Sequence, residues 1–101
     1  MAELSLVRKK ELRGGLIEFF SGIYPEDVLR ESVMETFYEY YRTEHIDKEL
    51  AYLVDKGYLS VRETTTPFGP SFEKVCRYKL TPAGKDLADG VTVDEAVYTR
   101  R

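Results

Sequence analysis

The stretch DKGYLSVRETTTPFGPSFEKVCRYKLTPAGKDL, residues 55–87, constrains the fold of this chain most strongly. Two runs within it, YLSVRETT and FEKVCRYKL, alternate apolar and polar side chains over the length of a β-strand. Between the runs, Pro67, Gly69 and Pro70 predict a tip without regular strand pairing. The pattern therefore predicts a β-hairpin with a long loop, entered from a helix that ends at Gly57.

The alternation also assigns the two faces of this hairpin, because residues two apart on a strand share a face. The face expected to meet the core carries Leu59, Val61, Cys76, Tyr78 and Leu80. The outward face carries Arg62, Arg77 and Lys79. Residues 57–80 hold four basic and two acidic side chains, and they form the most basic segment of a chain whose net charge is -3. We therefore expect the outer face and the tip of the hairpin to carry function.

Two helices are predicted at the start of the chain. Spacings of three and four residues predict a first helix over residues 6–20, with an inward stripe of Leu12, Leu16, Phe19 and Phe20. Gly14 and Gly15 leave two alternatives, a break in that helix or the close approach of another backbone. Pro25 predicts the start of a second helix. Its core face would carry Leu29, Val33, Phe37 and Tyr40 or Tyr41, and its acidic ridge Asp27, Glu31, Glu35 and Glu39.

A third helix and a short closing helix flank the hairpin. Thr43 is the predicted cap of the third helix. Its inward stripe would be Ile46, Leu50, Leu53 and Val54. Thr81 and Pro82 predict the cap and first turn of a helix that ends near Gly90. Residues 91–101 have no helical stripe, and a tail, an extra strand and a dimerisation arm all remain open for them.

Composition excludes several classes of function. A chain of 101 residues with 43% hydrophobic side chains fits one compact domain. No apolar run approaches the roughly 20 residues that span a bilayer, and the first residues lack a signal-peptide apolar region, so we expect a cytoplasmic protein. A single cysteine, Cys76, and a single histidine, His45, predict neither an internal disulfide nor a metal cluster. No catalytic constellation is visible, and neither an enzyme nor a cofactor is expected.

The run KELAYLVDKGYLSVRE followed by YKLTPAGKDLADG resembles the third helix, wing and closing helix of PadR- and MarR-type regulators. It is also similar to small winged-helix proteins of Mu-like prophages. The resemblance covers residues 43–90 directly and the first two helices by order and length. It implies an α+β winged helix-turn-helix domain over residues 1–90, with three helices, a two-stranded β-hairpin wing and a short closing helix. It also implies a homodimer that acts in transcriptional control.

In such regulators the third helix lies in the major groove of duplex DNA and the wing touches the backbone. Carried over to this chain, the third helix would present Arg42, His45, Lys48, Glu49 and Tyr52. The wing would present Arg62, Lys74, Arg77 and Lys79. Phe68, between two prolines and beside a glycine, is a further candidate contact because little core is within its reach.

Charge supports a different class of function, a winged-helix module that binds a protein partner and not DNA. The predicted third helix carries four carboxylates that would repel phosphate, namely Glu44, Asp47, Glu49 and Asp55. The acidic ridge of the second helix, or the cluster Tyr38, Tyr40 and Tyr41, would then be the contact surface. A lone surface histidine and cations on the wet face of a hairpin also occur without any ligand.

Overall fold

The computed structural model describes residues 3–68 and 71–99, and for residues 66–68 and 71–73 it describes the backbone alone. That part of the chain contains four helices and three strands. They are α1 Leu6–Gly22, β1 Val28–Leu29, α2 Arg30–Phe37, α3 Thr43–Asp55, β2 Leu59–Phe68, β3 Ser71–Leu80 and α4 Pro82–Ala88. The strands form one antiparallel sheet in the order β1-β3-β2. The α+β class predicted from the sequence is therefore confirmed.

The core lies between the four helices and the ends of β2 and β3 at Leu59 and Leu80. Its fully buried side chains include Leu12, Leu16, Ile17, Phe20, Val33, Ile46, Leu50, Leu53, Leu80 and Leu87. The stripes predicted for α1 and α3 are thus confirmed, although Phe19 and Val54 are only partly buried. Burying one such side chain stabilises the fold by roughly 1.5–3 kcal/mol. No helix in the described ranges is both long and apolar enough to cross a membrane.

Helix α1 runs without interruption through Gly14 and Gly15. A Cβ atom on Gly14 would overlap the backbone carbonyl oxygen of Tyr98. The N–H of Tyr98 also donates a hydrogen bond to the carbonyl of Lys10 at 3.2 Å. For Gly14 the close approach of another backbone is therefore correct, and the approaching segment is the end of the described chain. An added Cβ on Gly15 would instead lie 3.3 Å from the ring of Phe37.

The predicted start of the second helix at Pro25 is wrong. Val28 and Leu29 form β1 and pair with Tyr78 and Arg77 of β3, so α2 begins only at Arg30. A strand of two residues is too short to show an alternation of apolar and polar side chains, so the sequence pattern does not predict β1.

The shorter α2 also breaks the acidic ridge predicted along the second helix. Asp27 precedes β1 and Glu39 follows the last residue of α2. Only Glu31 and Glu35 remain on the helix, and both are exposed. The predicted continuous surface of four carboxylates therefore does not form.

The ends of α3 and α4 follow from their capping residues. The cap of α3 is Arg42, whose side chain makes no capping hydrogen bond, and Thr43 is the first residue of the helix. The prediction that Thr43 is the cap is therefore wrong. Gly57 ends the helix in a left-handed conformation with φ 87°, as predicted. At α4, the hydroxyl of Thr81 accepts a hydrogen bond from the N–H of Gly84 at 3.1 Å, which confirms the predicted cap.

The hairpin is paired along its whole described length. Its register runs from Leu59 opposite Leu80 to Phe68 opposite Ser71, and the prediction of a long loop is therefore wrong. Pro67 is tolerated because β2 is an edge strand, in which some N–H groups have no partner strand to meet. Residues 69 and 70, which connect the strands, lie outside the described residues.

Residues 91–99 pack back onto the domain without forming a strand. Val97 in this segment is only 4% exposed. The carboxylate of Asp94 accepts hydrogen bonds from the Tyr58 hydroxyl at 2.5 Å and the Ala96 N–H at 2.9 Å. The Lys56 ammonium lies 3.0 Å from the same carboxylate. These contacts hold the segment against the loop that follows α3.

Candidate nucleic-acid interface

The outward face of the hairpin carries three cations. The register places Arg62 directly opposite Arg77, and Ser60 opposite Lys79. Directly opposed residues of an antiparallel pair project to the same side of the sheet. Arg62, Arg77 and Lys79 therefore share one face, as the sequence predicts. We refer to these three residues as the basic face.

Asp27 lies against this basic face. Its Oδ2 atom is 3.0 Å from Nη2 of Arg62, which donates a hydrogen bond to it. Its Oδ1 atom is 3.7 Å from Nη1 of Arg77. The three groups border a shallow cleft of about 220 Å³ that is also lined by Ser60, Val61 and Lys79. One carboxylate thus faces three cations, and the cleft keeps a positive balance.

The opposite face of the hairpin is mixed in character. Lys74 lies there and pairs with Glu63 at 3.7 Å, so it is separated from the three cations of the basic face. The thiol of Cys76 lies 3.9 Å from a carboxylate oxygen of Glu63. Val61, predicted to face the core, is 41% exposed because the hairpin extends beyond the core at that point.

The outward surface of α3 differs from the predicted one. A helical turn of 3.6 residues brings four exposed positions together, and they are Glu44, Lys48, Ala51 and Asp55. Arg42 at the start of the helix is exposed, while His45 is half-buried at the edge of this surface. Lys48 is therefore the predicted contact residue that lies centrally on the outward side of α3.

Glu49 and Tyr52 face the other way, towards α1. Glu49 is 4% exposed, and one of its carboxylate oxygens accepts a hydrogen bond from Nε of Arg13 at 2.7 Å, so its predicted outward orientation is wrong. The guanidinium carbon of Arg13 lies 3.8 Å from the centre of the Tyr52 ring, which it covers. A second nitrogen of Arg13 donates to the carbonyl of Ala96 at 3.1 Å.

The apolar stripes do not predict the role of Arg13, although its position in the sequence carries a signal. It follows Leu12 directly and lies one turn before Leu16 and Ile17, so it borders the buried stripe of α1. A cation at such a position requires an acidic partner from another element. Helix α3 supplies that partner.

A second ion pair neutralises another carboxylate of α3. Nε and Nη2 of Arg30 donate to the two carboxylate oxygens of Asp47 at 2.8 and 2.7 Å. This hydrogen bonding raises the pKa of Arg30, partly offset by burial. Two of the four carboxylates counted on α3 are therefore held by arginines of α1 and α2.

Phe68 lies at a position for which only the backbone is described, and its predicted role falls outside the described side chains.

In the described ranges no three His, Cys, Asp or Glu residues are grouped so as to hold a metal ion. Comparison with protein-family models, curated proteins and solved structures found no match.

Proposed function

We propose that this chain is a winged-helix domain that binds duplex DNA and acts in transcriptional control. The order helix, strand, helix, helix, strand, strand and the sheet order β1-β3-β2 support this fold. In this proposal α2 and α3 form the helix-turn-helix, and the hairpin of β2 and β3 is the wing. The observation that carries the function is the convergence of Arg62, Arg77 and Lys79 on one face of that wing.

The charge objection to DNA binding is weaker in three dimensions than in the sequence. Glu49 is buried against Arg13 and Asp47 is bound by Arg30. On the outward side, Glu44 lies 3.8 Å from Arg42. The groups that would meet phosphate then include Arg42 and Lys48 as well as Glu44 and Asp55, which is an electrically balanced surface. The wing supplies the net positive charge that attraction to a polyanion requires.

The proposed division of labour follows from this geometry. The basic face binds backbone phosphates, because Arg and Lys on a strand face provide charge-assisted hydrogen bonds without reading bases. Lys48 enters the major groove from α3, flanked by Arg42 and His45. Tyr52 stays out of the interface because Arg13 covers its ring.

The test is fluorescence anisotropy with a pool of labelled genomic and random duplexes at low and moderate salt. We expect binding whose affinity falls steeply as salt rises. The double variant R62A/R77A should lower the affinity at least about tenfold and flatten the slope of log affinity against log salt by about two. The matched control K9Q/K10Q removes the same charge from α1 and should change little.

A second candidate function is supported by exposed apolar side chains at one end of the molecule. Leu6 and Val7 of α1 are 60% and 53% exposed, and Tyr38 and Tyr40 are 64% and 71% exposed. The side chain of Arg8 donates to the carbonyl of Tyr40 at 3.4 Å, which brings the first turn of α1 beside that loop. Such a surface suits a protein contact, including a second copy of this chain.

Measuring the mass in solution during the same binding experiment separates the two candidates. A salt-sensitive complex lost in R62A/R77A supports DNA binding. The absence of binding even at low salt would contradict the proposal of DNA binding. The variant Y38S/Y40S would then be tested for loss of self-association or of partner binding.

A further inference from the structure

We infer that Asp27 is a displaceable substitute for a DNA backbone phosphate, and that its carboxylate restrains nucleic-acid binding by occupying the basic face. The inference rests on the proposed function and deepens it, since it names the ligand of the cleft and the group that competes for it. The ligand is a phosphodiester, a singly charged anion whose oxygens can take the place of the two oxygens of Asp27.

The contacts of Asp27 resemble those of a bound anion. Each of its oxygens faces a different guanidinium, with Oδ2 at 3.0 Å from Arg62 and Oδ1 at 3.7 Å from Arg77. Guanidinium groups recognise carboxylates and phosphates through the same arrangement of N–H donors. The carboxylate therefore holds the two arginines close together in an arrangement that an incoming phosphate can use.

The exposure of the cluster makes the exchange feasible. The side chain of Arg62 is 66% exposed, and those of Arg77 and Asp27 are 39% and 30% exposed. Ion pairs in such positions are weak because water and salt screen them. Releasing the carboxylate thus costs little, and the cleft of about 220 Å³ is open to an incoming group.

The position of Asp27 in the fold keeps its carboxylate next to the basic face. Asp27 directly precedes β1, whose Leu29 pairs with Arg77 of β3. Since β1 is an edge strand beside the central strand β3, the backbone of Asp27 is held at the edge of the sheet, next to the basic face. Lys79 borders the same cleft, and together with the two arginines it leaves a balance of two positive charges for the ligand.

The first experiment uses inorganic phosphate as the probe and needs no DNA. Phosphate is added to the full chain at constant ionic strength, with chloride as the reference, and the side-chain N–H signals of Arg62 and Arg77 are followed by NMR. We expect both signals to shift, at lower phosphate concentration in Asp27→Asn than in the wild type. In Lys79→Ala the shift should need more phosphate, and this variant keeps the test valid if Asp27→Asn does not fold.

The second experiment measures duplex affinity of Asp27→Asn against Glu63→Gln. Both variants remove one negative charge from the region of the wing, but Glu63 lies on the opposite face beside Lys74. We expect Asp27→Asn to bind about three to ten times more tightly than Glu63→Gln at low salt, because it alone frees the arginine pair.

The outcomes separate the two proposals. If phosphate shifts neither arginine signal in any variant, the inference is wrong whatever DNA does. If duplex binds but Asp27→Asn equals Glu63→Gln, the inference is overturned while DNA binding stands. If phosphate binds at the arginines more tightly in Asp27→Asn and no duplex binds, Asp27 competes with phosphate alone, and both its restraint of DNA binding and the proposed function fail.

Discussion

Arg13 and Glu49 are the residues whose charges are most deeply buried in the described structure. Their side chains are 9% and 6% exposed, and Nε of Arg13 lies 2.7 Å from the carboxylate of Glu49. The Ala96 carbonyl and the Tyr52 ring complete the surroundings of the guanidinium. Removing charges from water is costly, and the pair is tolerated because both members are hydrogen-bonded to each other. The pair therefore ties α1 to α3 as a unit.

Removing one member of this pair should cost more than removing both. Glu49→Ala leaves an uncompensated buried guanidinium and should lower the free energy of unfolding by about 3–5 kcal/mol in urea titration. The double variant R13M/E49L should recover most of that loss. The control Glu44→Gln, an exposed carboxylate on the same helix, should change it by less than about 0.5 kcal/mol. Equal losses in Glu49→Ala and Glu44→Gln would contradict the role given to the pair.

The carboxylate of Asp94 should make the free energy of unfolding depend on pH in the acidic range. The hydrogen bond from Tyr58, with those from Ala96 and Lys56, lowers the pKa of Asp94 below its ordinary 3.8 despite partial burial. Because the pKa of Asp94 is lower in the folded state, its carboxylate contributes fully to the free energy of unfolding above about pH 4. This contribution is lost as the pH falls through the pKa of the folded state. The pKa of Tyr58 is raised to about 12, mainly by burial and further by its hydrogen bond to Asp94. The tyrosine therefore stays protonated over the same range.

The measurement compares wild type with Asp94→Asn by urea unfolding at several pH values. We expect the variant to be less stable by about 1–2 kcal/mol near neutral pH, with the difference shrinking below about pH 4. Asp89→Asn, which alters an exposed pair with Lys85 on α4, serves as the control. A difference that stayed constant down to strongly acidic pH would rule out the ionised carboxylate as its source.

At the scale of elements, α3 presents two chemically different sides. One side is buried or faces α1, through Glu49 and Tyr52, and the other is open, through Lys48. Only the open side can meet a duplex in the proposed complex. In that complex the helix would contribute few contacts, and the hairpin of β2 and β3 would provide most of the attraction.

This division predicts unequal effects of substitutions one helical turn apart. Lys48→Ala should weaken duplex binding by about 1–3 kcal/mol if it contacts a base, or flatten the salt slope by about one if it contacts phosphate. Tyr52→Phe should leave duplex affinity unchanged within about twofold, because the ring remains under Arg13. Anisotropy titrations of both variants provide the check. A larger loss for Tyr52→Phe than for Lys48→Ala would show that α3 docks by its other side.

At the scale of the whole molecule, the last described segment closes the fold by packing on its first helix. Gly14 allows this closure, since any Cβ there would overlap the carbonyl oxygen of Tyr98. Val97 is buried in the same segment. Residues more than 80 positions apart in sequence are thus in backbone contact.

Gly14→Ala tests this closure because helix propensity predicts a gain in thermal stability, whereas packing predicts a loss. Alanine inside a helix is favoured over glycine by about 1 kcal/mol. At Gly14 we expect the clash to dominate and thermal stability to fall. At Gly22, the last residue of α1, no atom beyond its chain neighbours and the backbone of its own helix lies within 4 Å of an added Cβ, so Gly22→Ala should be neutral or stabilising. An increase in Tm for Gly14→Ala would show that the segment does not rest on α1.

The local pattern of the sequence determined the elements that depend on neighbouring residues. The apolar stripes of α1 and α3, the alternating faces of the hairpin, the stop at Gly57 and the Thr81 cap all follow from spacing and backbone preference. These features involve interactions within a few residues, and such interactions leave a visible pattern.

Tertiary structure alone decided which charges remain available at the surface. The carboxylates Asp27, Asp47 and Glu49 were assigned to exposed acidic surfaces, yet each pairs with an arginine from another element. The strand β1 likewise exists only because β3 pairs with it. Long-range pairing depends on where the chain returns in space, and no periodicity records that. Which carboxylates are bound and which stay open is therefore a property of the fold, whereas the basic residues of the hairpin face can be predicted from the sequence.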